Sequence, residues 1–301
     1  MFVGLCGGSE SIRRLCAETL MREFAYELLH MDKDSWTSIL DHVTGRWQEN
    51  FVALSVTSMA QLEELSRRPF FLLVNIQDPT HSAQFDITQI QLQAKSAIIL
   101  CHSGTLQELQ SCIKTCLAPA LLAKLARPEW DAYFLRIAEF SARRTNCMKR
   151  GVGAVLVLDK TIIATGYNGT ARGTLNCMDG GCRRCNSSTI RCGQALDSCL
   201  CLHAEENAMI EAGRTRARGA TLYTTTSPCL SCAKKICQVG IERVVFSQNY
   251  SMDHFSAELF EQAGIVMEQK QAVSIGPLVI SSTDLNCAQM QRLTLSPSSP
   301  N

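Results

Sequence analysis

His203 and Glu205 stand one residue apart in His203-Ala204-Glu205, and Pro228-Cys229-Leu230-Ser231-Cys232 follows downstream. One imidazole and two thiolates are zinc donors. Cys229 and Cys232, at i and i+3, share one helix face. His203 is expected in the first turn of another helix. Two helix starts can then aim three donors at one ion. Three protein donors leave the fourth position of a tetrahedral zinc open to water, and zinc brings the ionisation of that water near neutrality. Two thiolates and a hydroxide make the site negative, which helix N-termini partly offset. Glu205 can reach the open side without binding the metal. There it can carry a proton from water to a ring nitrogen and a leaving amine.

The pattern H-x-E…P-C-x-x-C is the signature of zinc-dependent deaminases. A purely structural zinc would want four protein ligands and has no need of a non-ligand acid. A chance C-x2-C is plausible in a chain with 16 cysteines. Its combination with H-A-E, both at strand–helix or loop–helix junctions, is not.

The elements around the motif read as alternating α and β. Trp130 to Ala142 has the spacing of an apolar-faced helix. Val152 to Leu158 and Thr161 to Thr165 read as a strand pair joined tightly at Asp159-Lys160. A Gly- and Cys-rich loop spans 166–201. A helix from His203 to Ala212 stops at Gly213, and one from Cys229 to Val239 ends at Gly240. Ala220 to Thr224, Glu242 to Phe246 and Ile265 to Met267 read as strands, with a helix at Ser256 to Ala263. The first stretch is also α/β: strand Phe2 to Cys6, a glycine turn, then helical spacing through Leu15, Leu20, Phe24 and Leu28. Phe70 to Ile76 and Ala97 to Leu100 are further strands, and Thr105 to Cys116 a helix. Pro119 and Pro128 place a boundary near 119–127. The expected domains are 1–125, 126–275 and a Ser- and Pro-rich disordered tail, 276–301.

Length fits about two domains at roughly 150 residues each. The chain has 301 residues, 46% hydrophobic and 19% charged, with a formal net charge of +1. That balance gives no global field for nucleic acid or membranes. Without an aromatic–basic strip, RNA is disfavoured as a partner. No window is apolar enough for a membrane span, and Met1 to Cys6 lacks the parts of a secretory signal. An intracellular protein of the cytoplasm or nucleus is expected, where thiols stay reduced. Clustered cysteines then read as metal ligands before disulfides. Six fall between Cys177 and Cys201. Cys6, Cys16, Cys101, Cys112, Cys116, Cys237 and Cys287 read as small buried hydrophobes.

Longer stretches carry a resemblance: W-D-A-Y-F at 130–134, R-T-N-C-M-K-R at 144–150, V-G-A-V at 152–155, T-G-Y-N-G-T at 165–170, N-C at 176–177, G-G-C-R-R-C-N at 180–186, C-L-C-L-H-A-E-E-N-A at 199–208, S-P-C-L-S-C at 227–232 and Y-S-M-D at 250–253. Over Pro128 to Val266, nearly half the chain, the sequence resembles the deoxycytidylate (dCMP) deaminase family, its fungal members in particular. The resemblance implies a cytidine-deaminase-like α/β/α sandwich with a mixed five-stranded sheet. It implies hydrolytic deamination of dCMP to dUMP and ammonia, supplying dUMP for dTMP synthesis. His203, Cys229 and Cys232 would bind the catalytic zinc, Glu205 would shuttle the proton, and Asn168 would help hold the nucleotide. It also implies a homo-oligomer regulated by dCTP, with magnesium (Mg2+), and by dTTP. Ala171 departs from the proline that many members carry after G-Y-N-G-T. The zinc motif alone leaves another substrate open, a nucleoside or a tRNA base.

A second, structural zinc is expected from Cys177-x4-Cys182-x2-Cys185. Cys147 is the fourth ligand, with Cys199 and Cys201 as rivals and buried free thiols as the plain alternative. Some dCMP deaminases carry a second zinc, and Cys147 and Cys177 fall where two of its ligands lie in the resemblance. For the 5′-phosphate the candidates are Arg143, Arg144, Lys149 and Arg150, a run that otherwise reads as a solvated face. Asn207 either faces the site or bonds the backbone.

Gly4-Leu5-Cys6-Gly7-Gly8-Ser9-Glu10-Ser11 can be laid on the P-loop pattern G-x-x-x-x-G-K-[ST]. Ser9 replaces the second glycine and Glu10 the lysine, and a carboxylate there repels phosphate. The expectation is a degenerate P-loop-kinase-like domain without phosphoryl transfer. The fungal members resemble the chain here too.

Overall fold

The computed structural model describes residues 1–29, 36–78, 86–191, 193–249, 254–270, 272 and 277–282. The Y-S-M-D stretch, Cys192, Cys287 and most of the expected tail lie outside them. Two compact units form, Met1–Pro128 with Ser274–Asn301, and Glu129–Val273.

The first unit contains β1 (Phe2–Gly7), α1 (Glu10–Phe24), β2 (Glu27–Leu29), α2 (Trp36–Gly45), β3 (Phe51–Ala53), α3 (Met59–Leu65), β4 (Phe71–Gln77), α4 (Ile87–Lys95), β5 (Ile98–Cys101), α5 (Leu106–Cys116) and α6 (Pro119–Ala126). Its strands pair in parallel in the order β5-β4-β1-β3-β2. Both faces are covered, so the strands are nearly continuous apolar runs. Val3 and Leu5 join one core with Cys16, Leu20 and Leu109, while Phe2 and Cys6 join the other with Leu40, Val43 and Leu65.

The first unit's leading segment ends at Pro128, close to the expected division at 125/126, and Pro119 starts α6, where a proline costs nothing because that N–H has no helical partner. One expectation changes here: the chain beyond 276 does not begin as a disordered tail. Leu278–Ser281 is a strand that pairs in parallel with β5 and extends the first unit's sheet to six. Val-Ile-type residues there meet an open sheet edge, and pairing satisfies backbone groups on both.

The second unit runs α7 (Trp130–Ala142), β6 (Gly153–Leu158), β7 (Thr161–Tyr167), β8 (Gly169–Thr170), α8 (Arg183–Asn186), β9 (Cys201–Leu202), α9 (Ala204–Ala217), β10 (Thr221–Thr226), α10 (Leu230–Val239), β11 (Arg243–Gln248), α11 (His254–Gln262) and β12 (Val266–Gln269). Its five-stranded sheet has the order β12-β11-β10-β6-β7. β10, β11 and β12 are parallel, while β6 is antiparallel to β10 and β7. The sheet is mixed and three layers form, as expected. Ala154, Leu156, Leu222 and Val244 pack under α9, α10 and α11; Val155, Val157, Tyr223 and Val245 pack on α7 through Phe134, Leu135 and Ala138.

Local chemistry explains the joints. Asp159 and Lys160 both take positive φ, 49° and 59°, the conformation a two-residue hairpin turn requires. Gly166 has a different reason to be glycine: a Cβ there would lie 2.1 Å from the Ala204 carbonyl and 2.7 Å from the Ala208 nitrogen. Its absence lets α9 rest directly on β7. The helix that opens α9 breaks at Gly213, as expected, where φ is 69° and ψ 154°, and a second short helical run carries α9 on to Ala217.

Candidate active site

His203 is the residue immediately before α9, and Cys229 the residue immediately before α10. Cys232 lies in the first turn of α10 and is fully buried. The expected helix starts therefore bring the three donors together, with His203 as the cap rather than within the first turn. His203 Nδ1 lies 3.4 Å from Cys229 Sγ and 3.3 Å from Cys232 Sγ. All three donor atoms fall within 4.8 Å of one another. A hydrogen bond from Cys232, aided by His203 and opposed by burial, holds the Cys229 thiol down at about 4. Its hydrogen bond to Cys229 raises His203 above the usual histidine value. Two soft donors and an imidazole at this spacing fit zinc, and a set of three is the catalytic rather than the structural kind.

Glu205, in the first turn of α9, is only 4% exposed and lines the same cleft as His203 and Cys229. The cleft is also lined by Lys149, Arg150, Asn168 and, from β10 and its end, Thr226 and Ser227. A buried acid beside three metal donors, open to a cleft lined by the cations Lys149, Arg150 and Arg184, can exchange protons with a bound anionic substrate.

Residues 128–248 match the family model for the cytidine and deoxycytidylate deaminase zinc-binding region. The chain is 42% identical over 274 residues to the deoxycytidylate deaminase of Schizosaccharomyces pombe, covering 82% of this chain and 85% of that one. It is 38% identical over 310 residues to the deoxycytidylate deaminase of Saccharomyces cerevisiae, covering 89% and 96%. The chain belongs to the deoxycytidylate deaminase family. A solved structure of the dCMP deaminase from cyanophage S-TIM5, in complex with dCMP and dUMP, is 28% identical. It covers 48% of this chain and 98% of that one, at a TM-score of 0.38.

Both relatives align over most of this chain, so the family likeness extends into the first unit and is not confined to the deaminase motif. Within the site, Asn168 is 7% exposed and its amide is taken up by the protein. Oδ1 accepts from the Val152 N–H at 2.8 Å and the Thr145 hydroxyl at 2.7 Å, and Nδ2 donates to the Arg150 carbonyl at 2.7 Å. It braces the cleft wall formed by Arg150 and Val152. Asn207 takes its second alternative: Nδ2 donates to the Tyr167 carbonyl at 2.6 Å. Of the basic run, Lys149 and Arg150 line the cleft, whereas Arg143 and Arg144 are exposed and stand outside its lining.

The structure also gathers cysteines, but not in the expected foursome. Cys147 and Cys177 share a group with Cys185 and Cys201; Cys182 shares one with Cys185, Cys199 and Cys201. Cys201 thus stands where Cys182 was expected, because β9 carries Cys201 back against β8. That pairing depends on contacts distant in sequence.

Three contributors went unread in the sequence. Glu206 accepts the backbone N–H of His203 at 2.8 Å and pairs with Lys235 of α10. A Glu three positions into a helix is a readable capping signal, obscured here because histidine is an unusual cap. Arg184, 6% exposed, lines the cleft, and nothing in its local sequence marks it.

Proposed function

We propose that this chain hydrolyses dCMP to dUMP and ammonia, with His203, Cys229 and Cys232 holding zinc. The observation that carries it is the convergence of those three donors with buried Glu205 in one cleft. When bound, zinc supplies the Lewis acidity that makes water a nucleophile near neutral pH. Glu205 would take one proton from water and pass it to the ring nitrogen, then take the second proton from the added hydroxyl and pass it to the departing amine. Burial beneath the cleft keeps that carboxyl from exchanging freely with solvent. Lys149 and Arg150 supply positive charge for a 5′-phosphate, and Asn168 keeps the backbone that bears Arg150 in place.

The same reading makes the protein an intracellular homo-oligomer of cytoplasm or nucleus, regulated by dCTP with magnesium and by dTTP. The described cysteines are all free thiols, which suits a reducing compartment. Among the described residues no helix is long and apolar enough to cross a membrane. The first unit is a degenerate P-loop-kinase-like domain. In support, β1 leads through Gly7 and Gly8, both at positive φ, into α1. Arg13 Nη1 donates to both glycine carbonyls at 2.7 Å, and Glu10 opens the helix where a P-loop has lysine.

The deciding experiment is loss of cytosine absorbance with dCMP, CMP, deoxycytidine and dCTP, with and without a chelator. Chelator-sensitive turnover of dCMP above the others is expected. Preference for deoxycytidine would transfer the reading to a nucleoside deaminase and remove the phosphate role of Lys149 and Arg150.

A further inference from the structure

The six thiols of Cys147, Cys177, Cys182, Cys185, Cys199 and Cys201 form two four-sulfur groups with Cys185 and Cys201 common to both. Within each group every sulfur lies within 4.8 Å of the others. Cys147 and Cys185 are 3.8 Å apart, and Cys185 and Cys199 are 3.6 Å apart. In a tetrahedral zinc site with Zn–S of about 2.3 Å, neighbouring sulfurs lie about 3.8 Å apart. We propose that these six cysteines hold two zinc ions bridged by the thiolates of Cys185 and Cys201.

The donor count favours two ions over one. A single four-coordinate ion would leave two of the six sulfurs packed against it without a metal. Two separate four-thiolate ions would need eight. Two ions that share a pair need six, and the two sulfurs common to both groups are the ones placed to be shared.

The surroundings suit a negatively charged cluster. Six thiolates and two zinc ions leave a net charge of −2, so N–H donors should point at sulfur. The Met148 N–H donates to Cys177 Sγ at 3.5 Å and the Leu200 N–H to Cys182 Sγ at 3.4 Å. The buried Arg184 guanidinium donates to Cys185 Sγ at 3.6 Å, and Asn186 Nδ2 to Cys177 Sγ at 3.8 Å. Cys177, Cys182 and Cys185 are 2% exposed or less, so competing ligands from solvent have little access to ions held there.

The cluster also explains how the long loop 166–201 is ordered. Besides the end of β7 and the short β8–β9 pairing, the described residues of that segment have one four-residue helix and short 3-10 turns, too little to offset its chain entropy. Metal–thiolate bonds supply folding energy directly. They tie the end of the loop, two residues before His203, to Cys147, which lines the same cleft. The inference stands apart from the substrate assignment: it concerns what holds the wall, not what the site turns over.

The test is zinc content and X-ray absorption on the full-length protein purified without chelator. Three zinc ions per chain are expected, falling to two in His203→Ala, with a zinc–zinc scattering shell at roughly 3 Å in both. Cys199→Ser should lower the count by at least one while His203 and its partners still hold their ion. A wild-type count of two or one overturns the proposal, and so does a count of three without the metal–metal shell. The wild-type count and shell decide the matter even if a variant fails to fold.

Discussion

Lys235 of α10 pairs with Glu206 of α9, and Glu206 also accepts the backbone N–H of His203 at 2.8 Å. This ties the start of α9 to the middle of α10, the two helices whose starts carry the three metal donors. It gives adjacent acids separate tasks: Glu206 ties the scaffold while Glu205 lines the cleft. Glu206→Gln should therefore lower stability by about 1 kcal/mol, with deamination reduced modestly. Glu205→Gln should keep the unfolding midpoint and the zinc yet lose about a thousandfold in kcat. Thermal melts, zinc content and steady-state kinetics on both variants check the division. A Glu205→Gln enzyme retaining a tenth of the wild-type rate would remove its assigned role.

His203→Ala should lose the catalytic zinc and dCMP turnover together. Removing one donor leaves two thiolates, too few to keep an ion against solvent and chelators. Metal analysis beside an ammonia-release assay reads both. Deamination that persists without that zinc contradicts the mechanism.

Gly166→Ala tests the close approach of β7 and α9. The added Cβ would meet the Ala204 carbonyl at 2.1 Å, so the helix must lift. Overpacking of this kind costs about 1–3 kcal/mol. Because α9 carries Glu205 and follows directly on His203, kcat/KM should fall further than the loss of folded protein explains. Unchanged kinetics would mean the strand moves instead of the helix.

Asp131 gives the pH prediction. Burial alone would raise its carboxyl, but Arg243, Lys270 and Tyr223 hold it well below the ordinary aspartate value of 3.8. Arg243 donates at 2.7 and 2.8 Å, Lys270 at 2.5 Å and the Tyr223 hydroxyl at 2.7 Å. A depressed folded value stabilises the protein above the unfolded value, and that stability drains away as pH falls below it. Acid unfolding should therefore begin below about pH 4 in wild type. Asp131→Asn should be about 2 kcal/mol less stable at neutral pH, with a flatter acid limb. Denaturant melts between neutrality and pH 3 measure both, and parallel acid limbs would clear Asp131 of the role.

The first unit should not hydrolyse ATP. Glu10 stands where a P-loop needs a cation, and Arg13, the nearby guanidinium, is turned onto the Gly7 and Gly8 carbonyls. Phosphate release from ATP measured on the purified protein, with and without dCMP, is expected to stay at background. Measurable turnover would restore a kinase reading.

Much of the site was legible because its chemistry is local in the chain. His203-Ala204-Glu205 and Cys229-x2-Cys232 each lie within one helical turn, so residue type and spacing place their donors before any packing is known. The longer elements were readable for a related reason. β1, β4, β6 and α5 bury enough side chains that periodicity marks them. β2 and β3, three residues each, bury too few, and α2, α3 and α4 between weak signals went unread. The strand at Leu278–Ser281 exists because β5 offers an edge, which no property of those four residues announces. The cysteines show the limit most clearly. Their number and crowding were plain in the sequence, but which four share a site was not. That depends on β8–β9 pairing, which sets Cys201 beside Cys147 and Cys177 and leaves Cys182 with Cys199. Spacing fixes geometry only across a turn or so of backbone; beyond that, the sheet and the folded loop decide which sulfurs meet.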